Sequence, residues 1–204
     1  MLDFSKIWIP RLSNEEIRRR ADEFRQQHWG EKIPVDIELI AERQLGLIVI
    51  PIANLRYTAH TEAFLSGDLS ELVYDPALPD VRVRFSVAHE LGHYLLHREV
   101  ITKLRSGSYE EWKDMQHEIP EALWSRAEYQ AYEFAGRLLV PLQLLMEELR
   151  KLKPLVELAR KQLPDLTADD VKEHLATKVA RAFDVSYDVI IKRLDAEGIS
   201  PIQE

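Results

Sequence analysis

The segment SVAHELGHYLLH, from Ser86 to His97, contains the pattern His-Glu-x-x-His. If the segment is a helix, residues four positions apart project from one face, one turn apart. The imidazoles of His89 and His93 then meet where their nitrogen atoms can bind one zinc ion. Glu90 lies on the flank of that face, which suits a base that takes a proton from water. The pattern therefore favours a helix with one open, metal-binding face.

The same segment can also be interpreted as a core helix whose histidines form ordinary hydrogen bonds. Its opposite face carries Leu91 and Leu95, which can pack against the rest of the protein. Gly92 is less favourable in a helix than alanine by about 1 kcal/mol. Its presence is explained if another backbone approaches closely at this position. His97 continues the histidine stripe, and we interpret it as a polar or supporting residue rather than a metal ligand.

A third metal ligand would favour the catalytic interpretation, because zinc hydrolases commonly use three protein ligands and leave a position for water. The best candidate is Glu128, which begins the segment EYQAYEFAGRLLVP. On a helix, Glu128 shares a face with Ala131, Tyr132 and Ala135. The two alanines let a second helix approach closely, so that the carboxylate can reach across. We therefore predict that Glu128 completes the ligand set.

Other candidates near the motif are weaker. Glu133 points about 140° away from Glu128 on a helix, and we interpret it as a solvated surface residue. Asp114 and His117 lie in the polar segment 102–120, which we interpret as a surface loop. Tyr132 faces the same way as Glu128, so it is a candidate for supporting a ligand or for polarising a substrate carbonyl.

The composition limits the class of protein and the kind of metal site. The 204 residues suit one domain, or a domain over 1–152 with a helical subdomain over 153–204 packed on it. The chain contains no cysteine, so any metal must be bound by His, Asp or Glu. The net charge of −8 disfavours the phosphate attraction that dominates nucleic-acid binding. No segment has the pattern of a membrane span or signal peptide, so we expect a cytoplasmic protein without membrane contact.

The order of elements predicts an α+β fold with a small N-terminal sheet packed on a mainly helical core. Ser13 and Glu16 form a capping-box pattern before a first helix, and Asp36 can begin a second helix that ends before Gly46. A β-branched strand, LIVIPI, follows. Two further apolar segments around a Ser-Gly-Asp turn predict a hairpin. Helices are predicted downstream over 121–140, after Pro141, and over 168–183 and 187–197.

The last two predicted helices look like a helix-turn-helix, which raises a rival function as a DNA-binding regulator. The charge pattern disfavours it. Acidic residues outnumber basic ones from residue 167 onwards. Asp188, Asp195 and Glu197 surround Lys192 and Arg193 on the second helix, whereas a helix that reads a DNA groove is basic or neutral on its exposed face. We expect no direct contact with nucleic acid.

The two motifs RFSVAHELGHYLLH and EYQAYEFAGRLLVP together resemble the ImmA/IrrE-type metallopeptidases. These are intracellular zinc-dependent proteins of bacteria and their mobile elements. The resemblance covers most of residues 34–198 and implies a zincin-like core of the gluzincin type. It implies His89, His93 and Glu128 as metal ligands and Glu90 as the catalytic base. Tyr132 is a departure, because the family usually has a small polar residue there, often asparagine.

The resemblance also implies a function. Characterised relatives cleave helix-turn-helix transcriptional repressors and so relieve repression, for example in stress responses. We therefore expect a zinc-dependent endopeptidase with a repressor as its protein substrate, although manganese or iron also suits this ligand set. The alternatives are a metal-containing binding module that sequesters a repressor and, third, the DNA-binding regulator. The sequence does not predict the oligomeric state, the cleavage site or the activating signal.

Overall fold

The computed structural model of the chain describes residues 8–104, 120–163 and 165–200. The helices and strands within these ranges are α1 (Asn14–His28), α2 (Ile37–Leu39, continued by a π-helix over Ile40–Gln44), β1 (Ile48–Pro51), α3 (Leu55–Ala59), β2 (Ala63–Leu65), β3 (Glu71–Tyr74), α4 (Asp80–Leu96), α5 (Arg98–Leu104), α6 (Glu121–Leu139), α7 (Leu142–Gln162), α8 (Ala168–Phe183) and α9 (Tyr187–Glu197). The predicted α+β fold is confirmed. None of the helices in these ranges is both long and apolar enough to cross a bilayer.

The sheet has three strands in the order β1-β3-β2. The predicted hairpin is confirmed, because β2 pairs antiparallel to β3 with Phe64 opposite Val73. The sequence did not predict that β1 pairs parallel to β3, with Val49 opposite Leu72. A parallel pair needs a crossover connection, and here that connection contains the short helix α3, which was also not predicted.

Side-chain caps define the N-termini of the first two helices. Ser13 Oγ accepts a hydrogen bond from the Glu16 backbone N–H at 3.1 Å, as predicted. The Glu16 carboxylate accepts hydrogen bonds from the guanidinium groups of Arg19 and Arg20, so the predicted return bond of a capping box is replaced by ion pairs. Asp36 Oδ1 accepts from the Leu39 N–H at 3.0 Å and begins α2.

The predicted surface loop over 102–120 is partly wrong. Residues 102–104 are the last residues of α5. Residues 105–119, including the candidates Asp114 and His117, lie outside the described residues. The helices downstream agree with prediction: Pro141 is the N-cap of α7, and α8 and α9 have the predicted bounds.

The core is built around the pair α4 and α6. The inner face of α4 is fully buried at Val87 and Leu91, and the inner face of α6 is fully buried at Phe134 and Leu138. Helix α1 packs on α6, where the Phe24 and Phe134 rings lie 5.8 Å apart, edge to face. The predicted division between residues 152 and 153 falls inside α7, and it stays a prediction.

A buried ion cluster fixes α9 against α1 and α6. Arg137 Nη1 of α6 and Arg193 Nη2 of α9 donate to Glu197 Oε1 at 2.7 and 2.9 Å. Arg18 of α1 pairs with the other oxygen of the same carboxylate. Glu133, interpreted from the sequence as a solvated residue, instead has a mostly buried side chain that pairs with Arg137 at 3.2 Å, so that interpretation was wrong. The C-terminal helix is therefore tied to the core by charge as well as by apolar packing.

Glu197→Gln removes the negative charge that three arginines share. Because breaking a buried ion pair leaves an uncompensated charge, we expect the free energy of unfolding to fall by about 3–5 kcal/mol. Urea unfolding measures this difference. The exposed Glu157→Gln on α7 is the matched control and should leave stability within about 0.5 kcal/mol of wild type. Equal stability of the two variants would contradict a structural role for the cluster.

Candidate metal centre

Helix α4 brings two imidazoles together on its open face. Pro79 is the N-cap, and the helix then runs without interruption through the motif to Leu96. The Nε2 atoms of His89 and His93 lie 3.1 Å apart. His93 is nearly enclosed, with 5% of its side chain exposed, whereas 16% of the His89 side chain is exposed. The spacing of four residues therefore produces the geometry that the sequence predicts.

Glu128 of α6 reaches across to both histidines. Its Oε2 lies 3.1 Å from His89 Nε2, and its Oε1 lies 3.1 Å from His93 Nε2. One ligand atom from each of the three residues can be chosen so that all lie within 4.8 Å of one another. Tetrahedral zinc ligands at about 2.0–2.1 Å from the metal are separated by about 3.3 Å, so this nitrogen, nitrogen and oxygen set fits a divalent metal and leaves a fourth position.

The close approach of α4 and α6 depends on Gly92. A Cβ atom at Gly92 would lie 2.9 Å from the Ala131 Cα and 3.0 Å from the Ala131 carbonyl oxygen. Both contacts are to backbone of the facing helix, which cannot move aside as the tip of a side chain can. Gly92 lies one residue before His93, and Ala131 lies one turn after Glu128. The absence of a side chain at Gly92 therefore brings Glu128 within reach of the histidines.

Glu90 is the buried carboxyl group beside the three candidate ligands, with only 8% of the residue exposed. Burial raises the pKa of Glu90 above its ordinary value, although the neighbouring charges of His93 and His89 oppose this shift. The Leu65 backbone N–H of β2 also donates a hydrogen bond to it. A carboxylate with raised proton affinity, held beside a metal site, is suited to accept a proton from water.

The three ligand side chains influence one another electrostatically. Partial burial by itself would raise the pKa of Glu128, but hydrogen bonds from His89 and His93 outweigh it and hold that pKa well below the usual range. Burial would lower the pKa of His89, and the hydrogen bond to Glu128 reverses this and raises it. The carboxylate is thus ionised, as a metal ligand must be.

His97 lies outside the group of three converging side chains, and its predicted supporting or polar character stays a prediction. It is 2% exposed, and its Nδ1 lies 3.2 Å from His93 Nδ1, behind the ligand nitrogen. Its Nε2 lies 2.9 Å from Gln130 Oε1. Burial, followed by the charge of His93, lowers the pKa of His97 to about 3. His97 therefore contacts the site only through His93.

Tyr132 lies at the rim of the site. Its ring packs on Phe85 with centroids 4.8 Å apart, and its centroid is 6.5 Å from that of His89. Lys192 Nζ of α9 lies 2.7 Å from the Tyr132 hydroxyl and 4.6 Å from the ring centroid. An ammonium group only donates, so the hydroxyl oxygen accepts this bond and the phenolic proton remains free to donate elsewhere.

Three residues near the centre were not predicted from the sequence: Trp124, Gln130 and Lys192. Trp124 stacks on His93 with ring centroids 5.7 Å apart and planes 12° apart. Trp124 lies one turn before Glu128 on the same helix face, so helix spacing alone could have placed it near the site. Lys192 belongs to a distant helix, and no local pattern indicates its contact with Tyr132.

Comparisons with known proteins give one family and one shared fold. The sequence profile of Peptidase M78, described as the IrrE N-terminal-like domain, matches residues 50–195. A search of curated proteins finds no match. Among solved structures, a Mycobacterium tuberculosis transcriptional regulator is similar with a TM-score of 0.53 over 88% of this chain, at 18% identity. This chain spans 46% of the length of that regulator, and the likeness shows the fold alone.

Gly92→Ala tests the close approach of the two helices. The added methyl group overlaps the Ala131 backbone, so we expect α4 and α6 to separate, the free energy of unfolding to fall by about 1–3 kcal/mol and zinc affinity to weaken. Thermal unfolding of the metal-free protein and competition with a chromogenic chelator measure both effects. Gly136→Ala on α6 is the control for zinc affinity, because its Cβ would lie 3.3 Å from a side-chain atom, Arg193 Cδ, and not against the backbone of the facing helix. Wild-type zinc affinity in Gly92→Ala would contradict this account.

Proposed function

The chain belongs to the Peptidase M78 family and contains a metallopeptidase-type domain, and on this premise we propose that it is a zinc-dependent endopeptidase whose substrate is a helix-turn-helix transcriptional repressor. The observation that most supports a hydrolase is the combination of three converging ligand side chains with the buried carboxyl group of Glu90. A site that only stores a metal needs no such base. Its presence is expected where water must be deprotonated.

The ligand set supports zinc as the metal of this proposal. Two imidazole nitrogens and one carboxylate oxygen form a set that catalytic zinc sites commonly use. When bound, the metal supplies a Lewis acid that polarises a peptide carbonyl and makes water more acidic. Manganese and iron accept the same donor types, so the identity of the metal is part of the proposal.

The residues of this chain can carry the proton transfers of peptide hydrolysis. Glu90 takes a proton from the attacking water as the water oxygen bonds to the carbonyl carbon. It then gives that proton to the leaving nitrogen as the carbon–nitrogen bond breaks, which yields a carboxylic acid and an amine. The free phenolic proton of Tyr132 is suited to donate a hydrogen bond to the carbonyl oxygen as negative charge develops there. Lys192 would hold the Tyr132 hydroxyl in place for this.

The site opens to solvent on the side of Glu128, where 37% of the side chain is exposed. Close to it, Trp124 stacks on His93 and Tyr132 lies beside His89. A polypeptide can therefore approach from this side, whereas Glu90 and His93 face inward. This arrangement suits cleavage of an external protein chain.

The repressor substrate rests on the resemblance to ImmA/IrrE-type proteins, and such a substrate would be met in the cytoplasm. The rival role of α9 in reading DNA receives little support from the structure. Its inner face, at Val189, Ile190 and Leu194, is buried against the protein. The exposed side chains of α9 include Asp188 and Asp195, which phosphate groups would repel.

Glu90→Gln separates a peptidase from a module that only sequesters a repressor. We expect cleavage of the repressor encoded beside the gene to fall by about 10²–10⁴-fold, because the amide cannot accept the proton, while one zinc ion per chain is retained. Mass spectrometry of the fragments and metal analysis give the two readouts. Glu99→Gln, exposed on α5, is the matched control and should cleave as wild type does.

Two outcomes would contradict the peptidase. Cleavage by Glu90→Gln at the wild-type rate would remove Glu90 from the mechanism. An intact repressor in a stable complex with the zinc-loaded wild type would favour sequestration.

A further inference from the structure

A chain of three hydrogen bonds lies behind His93 and ends on the backbone of the N-terminal segment. Gln130 Nε2 donates to the Pro10 carbonyl oxygen at 2.7 Å. Gln130 Oε1 lies 2.9 Å from His97 Nε2, and His97 Nδ1 lies 3.2 Å from His93 Nδ1. His97 and Gln130 are each 2% exposed, so bulk water does not compete for these bonds.

We propose that Gln130 and His97 are positioning residues that fix the protonated nitrogen and the ring orientation of His93, with the Pro10 carbonyl as their anchor. This inference rests on the metal site of the proposed function and deepens it. It assigns a task to a histidine that does not bind the metal and to a glutamine that no part of the catalytic mechanism uses.

The donor and acceptor roles in these three hydrogen bonds follow from the end at Pro10. A carbonyl oxygen can only accept a hydrogen bond, so the amide NH₂ of Gln130 must face Pro10. The amide oxygen of Gln130 then faces His97, and an amide oxygen can only accept. His97 must therefore carry a proton on Nε2 and donate it to Gln130.

The contact between the two histidines then has one favourable arrangement. If His97 also carried a proton on Nδ1, it would be a buried cation, and none of its hydrogen-bond partners in the described part of the chain is a carboxylate. A neutral His97 offers a lone pair on Nδ1, so His93 donates its Nδ1 proton to it. The ring of His93 is thereby held with Nε2 towards His89 and Glu128, where a metal ion would take the place of the proton that Nε2 donates to Glu128.

Other contacts hold the two ends of this chain in place. At the metal end, Trp124 stacks on the His93 ring and restricts its rotation. At the anchored end, Ile9 is 1% exposed, and its carbonyl oxygen accepts from Arg126 Nη1 of α6 at 3.2 Å. The matched family region begins at residue 50, so Pro10 lies outside it. The N-terminal segment thus extends the metal site beyond the family domain.

Nitrogen-15 NMR of the zinc-loaded wild-type protein tests the assignment directly. Long-range proton–nitrogen correlations distinguish the two neutral tautomers of a histidine ring, and comparison with His97→Gln identifies the His97 signals. We expect His97 to be neutral with its proton on Nε2, and His93 to carry its proton on Nδ1. A His97 ring protonated on Nδ1, alone or in addition to Nε2, would overturn the proposal. The readout is made on the wild-type protein and needs no activity; the variant serves only to identify the His97 signals.

Gln130→Leu tests the consequence for the metal. Leucine is of similar size but lacks the amide oxygen and the amide NH₂, so the proton of His97 is no longer fixed on one nitrogen. We expect a mixture of His97 tautomers and about a 10–100-fold loss of zinc affinity. Gln143→Leu, exposed on α7, is the matched control and should bind zinc as wild type does. Wild-type zinc affinity and an unchanged His97 tautomer in Gln130→Leu would overturn the positioning role. Failure of the wild type itself to bind zinc would instead contradict the proposed function.

Discussion

The metal centre depends on one steric constraint, the contact of Gly92 with the backbone of Ala131. The histidines belong to α4 and the carboxylate ligand belongs to α6, so neither helix holds a ligand set by itself. A glutamate side chain spans the gap only because a Cβ at Gly92 is absent and the facing residue is alanine. The apolar faces of the two helices, buried at Leu91 and Phe134, stabilise the same approach. The packing of the core and the geometry of the site therefore depend on the same contact between α4 and α6.

Charge and burial then distribute the roles among the acidic groups near the site. Glu128 lies between two imidazoles, remains ionised and is suited to bind a cation. Glu90 is buried, where a neutral form is favoured, and is suited to take up a proton. Glu197 lies farther along the chain among three arginines and holds α9 in place. Helix α9 in turn supplies Lys192 to Tyr132 at the rim, so a helix that resembles a DNA-reading element packs on the core that carries the candidate site.

The sequence predicted the parts of the structure that local spacing determines. The four-residue separation of His89 and His93, and the alanines that follow Glu128, contain enough information to bring the three residues together. The caps at Ser13 and Asp36 and the bounds of α8 and α9 are likewise local. The parallel pairing of β1 with β3, the ion cluster around Glu197 and the bond from Gln130 to Pro10 join residues far apart in sequence, and helical or strand periodicity contains no information about such partners. Glu133 was misinterpreted although its partner Arg137 is only four residues away, because a helix-wheel argument does not include the distant α9, whose Glu197 also pairs with Arg137.

The most direct test of the central claim is a crystal structure of the zinc-loaded protein with anomalous diffraction measured at the zinc absorption edge. The account predicts one strong anomalous peak per chain, bonded to Nε2 of His89, Nε2 of His93 and a carboxylate oxygen of Glu128, with His97 hydrogen-bonded behind His93. A peak elsewhere, coordination through His97, or a Glu128 side chain turned away from the metal would contradict it.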